Sequence, residues 1–139
     1  MNKKNRVKII IPVIIGLAIG ILVHYTSKET KVSALLKNAA KELNNKAPYK
    51  TQNNIRLDSA STSGESVFIY HYSIVNADKS KIDLSSAKKI MKPRMIKTVK
   101  NTPELKDFRD NNVTLDYRYY DKNGAFVTNI TITPELYNN

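Results

Sequence analysis

The chain contains no cysteine, no tryptophan, only four glycines and only two histidines. Without thiols it can form no disulfide, no thiolate zinc site, no redox motif and no lipid-bearing cysteine of a lipoprotein. This absence does not argue for the cytoplasm, because a domain of about a hundred residues can fold on its core alone. Four glycines leave no loop that could cradle a phosphate. His24 closes an apolar run and His71 stands among apolar neighbours, so neither belongs to a recognisable catalytic or metal motif. Acid is scarce too: 12 Asp and Glu stand against 23 Lys and Arg, a net charge of +11 in 139 residues.

The longest feature present is apolar. Ile9 to Ser27 is a run of 19 residues without a charge, which as a helix spans about 28 Å, close to the hydrocarbon thickness of a bilayer. His24 and Tyr25 occupy the place where signal-peptide cleavage needs small residues. An uncleaved transmembrane helix over 9–27 is therefore expected, preceded by a basic cytoplasmic tail, 1–8, with Lys3, Lys4, Arg6 and Lys8. Lys28, Lys31, Lys37 and Lys41 make the other flank basic as well, but the N-terminal charges are denser. The expected orientation puts the N-terminus in the cytoplasm and residues 28–139 in the periplasm, with the protein in a bacterial inner membrane. Gly16 and Gly20 have the spacing of a helix–helix contact and are candidates for a homodimer through the membrane helix.

Beyond the run, Leu35, Leu36, Ala39, Ala40 and Leu43 recur at helical spacing and predict a helix over 33–45. With the loop around Pro48 it forms a lead-in, 28–54, to a domain over 55–139, on which the helix packs. Ile55–Ser61 and Ser66–Val75 flank Ser63-Gly64-Glu65 as a hairpin. In its second strand Phe68, Tyr70, Tyr72 and Ile74 share one face, and Val67, Ile69, His71 and Val75 the other, so both faces should be covered. Between Asp83 and Asn111 the period turns helical again. Leu84, Ala87, Ile90 and Met91 point inward, Pro93 should break or kink the helix, and Met95, Ile96 and Val99 continue it. Thr102-Pro103-Glu104 starts a further helix with Leu105 and Phe108 inward. Two alternating runs, 113–120 and 126–132, then form a hairpin in which Tyr117, Tyr119, Phe126 and Ile130 line the core. The reading is an α+β protein: a transmembrane helix, then an α-β-β-α-β-β domain with a four-stranded antiparallel sheet and helices on one face.

Two polar features remain. Asp121-Lys122-Asn123-Gly124 resembles a fragment of a calcium loop, but the twelfth position, which should be glutamate, is Ile132. A hairpin turn explains it, and no metal or cofactor is expected. The other feature is KKIMKPRMIKTVK, with Lys88, Lys89, Lys92, Arg94, Lys97 and Lys100 and no acid between Asp83 and Glu104. It is a candidate surface for an anionic lipid, an acidic envelope polymer or an acidic protein partner, set against the plainer reading of a solvated face. With no aromatics interleaved, nucleic acid is not an expected partner.

The segments KELNNKAPY, NIRLDSAS, VFIYHYSIVN, TPELKDFRDNNVTLDYRYYDKNG and ITPEL, over about residues 40 to 137, resemble a family of small, largely uncharacterised bacterial envelope proteins with an N-terminal membrane segment or signal. The resemblance implies a secreted or membrane-anchored α+β domain and brings no catalytic signature. Members typically pair one cysteine before the TPEL-like helix with another near the C-terminus. Here Lys100 and Asn101 occupy the first region, Leu136 and Tyr137 the second. The functional expectation is a non-enzymatic binding or accessory module with a protein partner in envelope assembly, a secretion or transfer apparatus, or exclusion and immunity. The alternative is an envelope hydrolase using carboxylates or His71.

Overall fold

A computed structural model describes residues 31–51 and 53–139. The expected membrane helix over 9–27, with Gly16 and Gly20, lies outside the described residues. Among the described residues no helix is long and apolar enough to cross a membrane.

Helix α1, Lys31–Lys46, buries the predicted stripe Leu35, Leu36, Ala39, Ala40 and Leu43. A cis Ala47-Pro48 bond leads into the two-residue strand β1, Tyr49–Lys50. Strands β2, Ile55–Ser63, and β3, Val67–Ile74, form the first hairpin, turning at Gly64 with φ of +57°. Helix α2, Leu84–Asn101, follows, capped by the Asp83 carboxylate, which accepts from the Ser86 amide. A short 3-10 turn at Pro103–Leu105 runs into α3, Lys106–Asp110. Strands β4, Thr114–Tyr120, and β5, Phe126–Ile132, make the second hairpin, and α4, Pro134–Tyr137, closes the chain.

The sheet has five strands in the order β1-β2-β3-β4-β5. This differs in two respects from the four-stranded antiparallel sheet that the sequence predicts. The loop around Pro48 supplies the extra edge strand, pairing Tyr49 with Leu57. More importantly, β3 and β4 run parallel, Phe68 facing Leu115 and Tyr72 facing Tyr119. The segment carrying α2 and α3 crosses back along the sheet, so β4 starts at the end where β3 started; a parallel pair needs such a crossover. The α+β class stands, with a mixed sheet.

Pro93 does not break α2, which is continuous through it. Pro93 is exposed on the solvent side, where the carbonyl it leaves unbonded can reach water. Ile90, expected inward, is 54% exposed; Met91, Met95 and Val99 carry the buried stripe.

The described helices α1 to α4 contribute to one core. Phe68, Tyr70, Tyr72, Ile74, Leu115, Tyr117 and Tyr119 meet α1, α2, α3 and α4 in a single cluster. Stacking of Tyr70 on Tyr117 at 5.0 Å and Tyr72 on Tyr119 at 5.4 Å follows from the parallel register, which sets like positions side by side. Arg109 donates to the carbonyls of Val99 and Thr102 at 2.7 Å each, satisfying the end of α2, and the Tyr137 hydroxyl donates to the Val113 carbonyl at 2.8 Å. Ile69 is buried yet lies outside this cluster. It belongs to the opposite face of the sheet, on which none of the described helices packs, and β3 is central as expected.

Candidate functional site

Alternation puts Ser61 of β2, His71 and Ser73 of β3, Asp116, Arg118 and Tyr120 of β4, and Asn129 and Thr131 of β5 on the open sheet face. Their contacts form a mosaic. Ser61 Oγ lies 2.7 Å from His71 Nε2, and His71 Nδ1 lies 3.2 Å from the Tyr120 hydroxyl. Asp116 accepts from Arg118 Nε at 2.8 Å, Asn129 Nδ2 at 2.9 Å and Thr131 Oγ1 at 3.0 Å. Burial alone would raise the Asp116 pKa, but these three donors outweigh it and hold the carboxyl below its ordinary value. Asp58, at a bulge in β2, accepts from Arg56 and Ser73. His71 is held below its ordinary value, first by burial and then by the Arg118 charge, against the pull of Asp116 and Asp58. It is therefore a neutral imidazole at pH 7.

The chemistry open to this mosaic is limited. Ser61 and His71 are spaced as a nucleophile and a base, but the group behind the base is a phenol rather than a carboxylate. The two buried acids do not converge. Asp116 is spent on Arg118, Asn129 and Thr131. Asp121 sits in the hairpin turn and accepts from the amides of Asn123 at 2.8 Å, Ala125 at 2.9 Å and Lys79 at 3.1 Å. Those backbone donors hold its pKa below the ordinary value. The Asp-Lys-Asn-Gly stretch is thus a clamp: Gly124 takes the positive φ of +81°, Asn123 Nδ2 donates to Asp78 at 2.7 Å, and Lys122 pairs with Asp78 at 3.2 Å. Among the described residues no group of histidines and acids is placed to hold a metal ion.

A bulge between Tyr119 and Tyr120 changes the surface. It turns Val127 into the core and Phe126 out, 47% exposed, against the sequence expectation that Phe126 lines the core. Phe126 meets Tyr120 edge-on at 5.9 Å, and Tyr120 stacks on His71 at 6.0 Å. Val75, 43% exposed, lies at the same end of the sheet. An aromatic strip thus crosses β3, β4 and β5 beside Arg118, the composition of an interface centre. Nothing in the sequence marks the bulge, so this strip could not be read from alternation.

The predicted cations all lie on α2. Lys88, Lys89, Lys92, Arg94 and Lys97 are exposed, and Lys100 is partly covered, its Nζ donating to the Asn139 carbonyl. At 3.6 residues per turn they spread over more than half of the helix circumference rather than forming one line.

No curated protein matches the chain by sequence. Among solved structures the fold is similar to that of a Pseudomonas aeruginosa protein described as secreted, with a TM-score of 0.66, 16% identity and coverage of 81% of this chain and 98% of the other. It is also similar to two type 2 secretion system pilotins. EpsS of Vibrio vulnificus has a TM-score of 0.60 and AspS of Vibrio cholerae 0.57, each at 10% identity over 76% of this chain and 91% of theirs. The fold is thus shared with these bacterial proteins. Residues 30–127 match a domain of unknown function, DUF8479, and the chain belongs to that family.

Proposed function

We propose that the chain is a non-enzymatic accessory module of the bacterial envelope that binds a protein partner through the open sheet face. The observation that carries this is the strip of His71, Tyr120 and Phe126: exposed Phe126 backed by the half-buried rings of Tyr120 and His71 beside Arg118, over a sheet whose carboxylates are each tied to neighbours instead of converging on a pocket. The fold shared with two secretion-system pilotins supports an assembly role. The anchor over 9–27, with the N-terminus in the cytoplasm and the domain in the periplasm, completes the proposal and rests on the uncharged run and its basic flank.

In-cell cross-linking followed by mass spectrometry tests it. Wild-type protein should capture an envelope protein that a Tyr120→Ala, Phe126→Ala double variant loses while retaining its thermal midpoint; undiminished capture by a folded double variant would sink the assignment of this face. The Ser61–His71 contact is the one observation that favours a hydrolase. If a serine-directed fluorophosphonate labels Ser61, and His71→Gln abolishes the labelling, the enzymatic reading replaces the accessory one.

A further inference from the structure

We propose that the outer side of the helix layer, centred on α2, lies against an anionic bilayer surface. Between Leu84 and Asn101 the helix has six cations and no acid. The side chains of Lys88, Lys89, Lys92, Arg94 and Lys97 make no ion pair or hydrogen bond among the described residues, whereas the pairs Arg56–Asp58, Arg118–Asp116, Lys106–Asp110 and Lys122–Asp78 all lie elsewhere. Helix α1, joined to the same core, adds exposed Lys31, Lys37, Lys41 and Lys46 against Glu42. On the open sheet face Arg56 and Arg118 are balanced by Asp58 and Asp116. The two sides of the sheet therefore differ in charge, one basic and one neutral.

The form of the basic side fits headgroups. Apart from Lys100, its α2 cations are unanchored and spread around the helix, so they need no fixed register, and mobile lipid phosphates offer none; a protein partner would meet them through defined pairs. Ile90 stands in line with Arg94 and Lys97, at i, i+4 and i+7, and places one exposed apolar side chain among the charges, as interfacial helices do. In sequence the apolar run ends at Ser27, with three residues between it and Lys31, the first described residue of α1. That last point rests on the anchor reading above; the charge asymmetry does not.

The lack of native cysteine permits a single reporter. Ile90→Cys carrying an environment-sensitive fluorophore is placed in the full chain in nanodiscs, with Ser63→Cys on the open sheet side as a second label position. A blue shift is expected at residue 90 in discs containing phosphatidylglycerol. It should be absent in phosphatidylcholine discs and at residue 63, and reversed in about 1 M salt, where the screening length falls to about 3 Å. Replacing Lys89, Arg94 and Lys97 by glutamine should lower the ratio of contacting to free α2 by about fivefold per charge removed. An unshifted label in both discs overturns the proposal. So does a shift in both that the glutamines leave unchanged, or one that appears only when envelope proteins are added, which reassigns the face to an acidic protein. Flotation with phosphatidylcholine vesicles tests the anchor separately. A chain that fails to float there, but whose label at residue 90 still shifts on phosphatidylglycerol vesicles, refutes the anchor and supports the α2 contact.

Discussion

Two side chains show how local environment sets a residue's role. His71 has a folded-state pKa below its unfolded value, because burial and Arg118 disfavour the imidazolium. The unfolded chain therefore binds the proton more readily, so the stabilisation is complete above about pH 6.5 and is lost as the pH falls through that value toward the folded pKa. Thermal midpoints should drop between pH 7.5 and 5.5, and His71→Gln should flatten that slope; an unchanged slope would mean that His71 is not the group responsible. Carboxylates such as Asp116, also lowered, lose their contribution only in a more acidic window. Tyr117 is a different case. Its hydroxyl is buried and makes no hydrogen bond among the described residues, unlike that of Tyr137, which bonds the Val113 carbonyl. Removing an unpaired buried polar atom while keeping the ring should help, so Tyr117→Phe is expected to stabilise by about 1 kcal/mol in urea denaturation.

At the scale of elements, the sheet's exposed edges and bulges decide what the strands present. The edge of β2 beyond the two residues of β1 is closed by a side chain: Asn44 of α1 donates to the Ala60 carbonyl at 2.9 Å and accepts from the Ala60 amide at 2.7 Å, as a paired strand would. Asn44→Ala should cost about 2 kcal/mol, seen as a lower urea midpoint. It should also raise concentration-dependent aggregation, because an unpaired edge is a template for other chains. Wild-type behaviour on both measures would show that water replaces the amide without loss. Helix α2 illustrates the other rule: an interior proline reads as a break in sequence, yet the helix persists because Met91, Met95 and Val99 are fixed by the core on both sides of it.

On the scale of the whole molecule, the parallel pairing of β3 with β4 organises everything else. It aligns Tyr70 with Tyr117 and Tyr72 with Tyr119 on the core side, and His71 with Arg118 on the other. One pairing thus builds both the aromatic core and the open-face mosaic. It also leaves the helices on a single side, so the cations of α1 and α2 share one surface, away from the strip of His71, Tyr120 and Phe126. A domain with one basic side and one balanced, aromatic side suits a position between a membrane and a partner.

Periodicity alone determined α1, the four main strands and, within α2, the buried Met91, Met95 and Val99 though not the outward Ile90, because burial of one face imposes a repeat that composition cannot hide. It also identified Asp121 to Gly124 as a turn. What the tertiary structure decided was strand direction, the edge strand β1, the outward turn of Phe126 and the meeting of Ser61, His71 and Tyr120. Strand direction depends on how a long connection returns, and a bulge adds one residue without altering the surrounding pattern. Ser61 and Tyr120 come within reach of His71 through neighbouring strands whose register is fixed by the packed core, and no local signal in the chain carries that information.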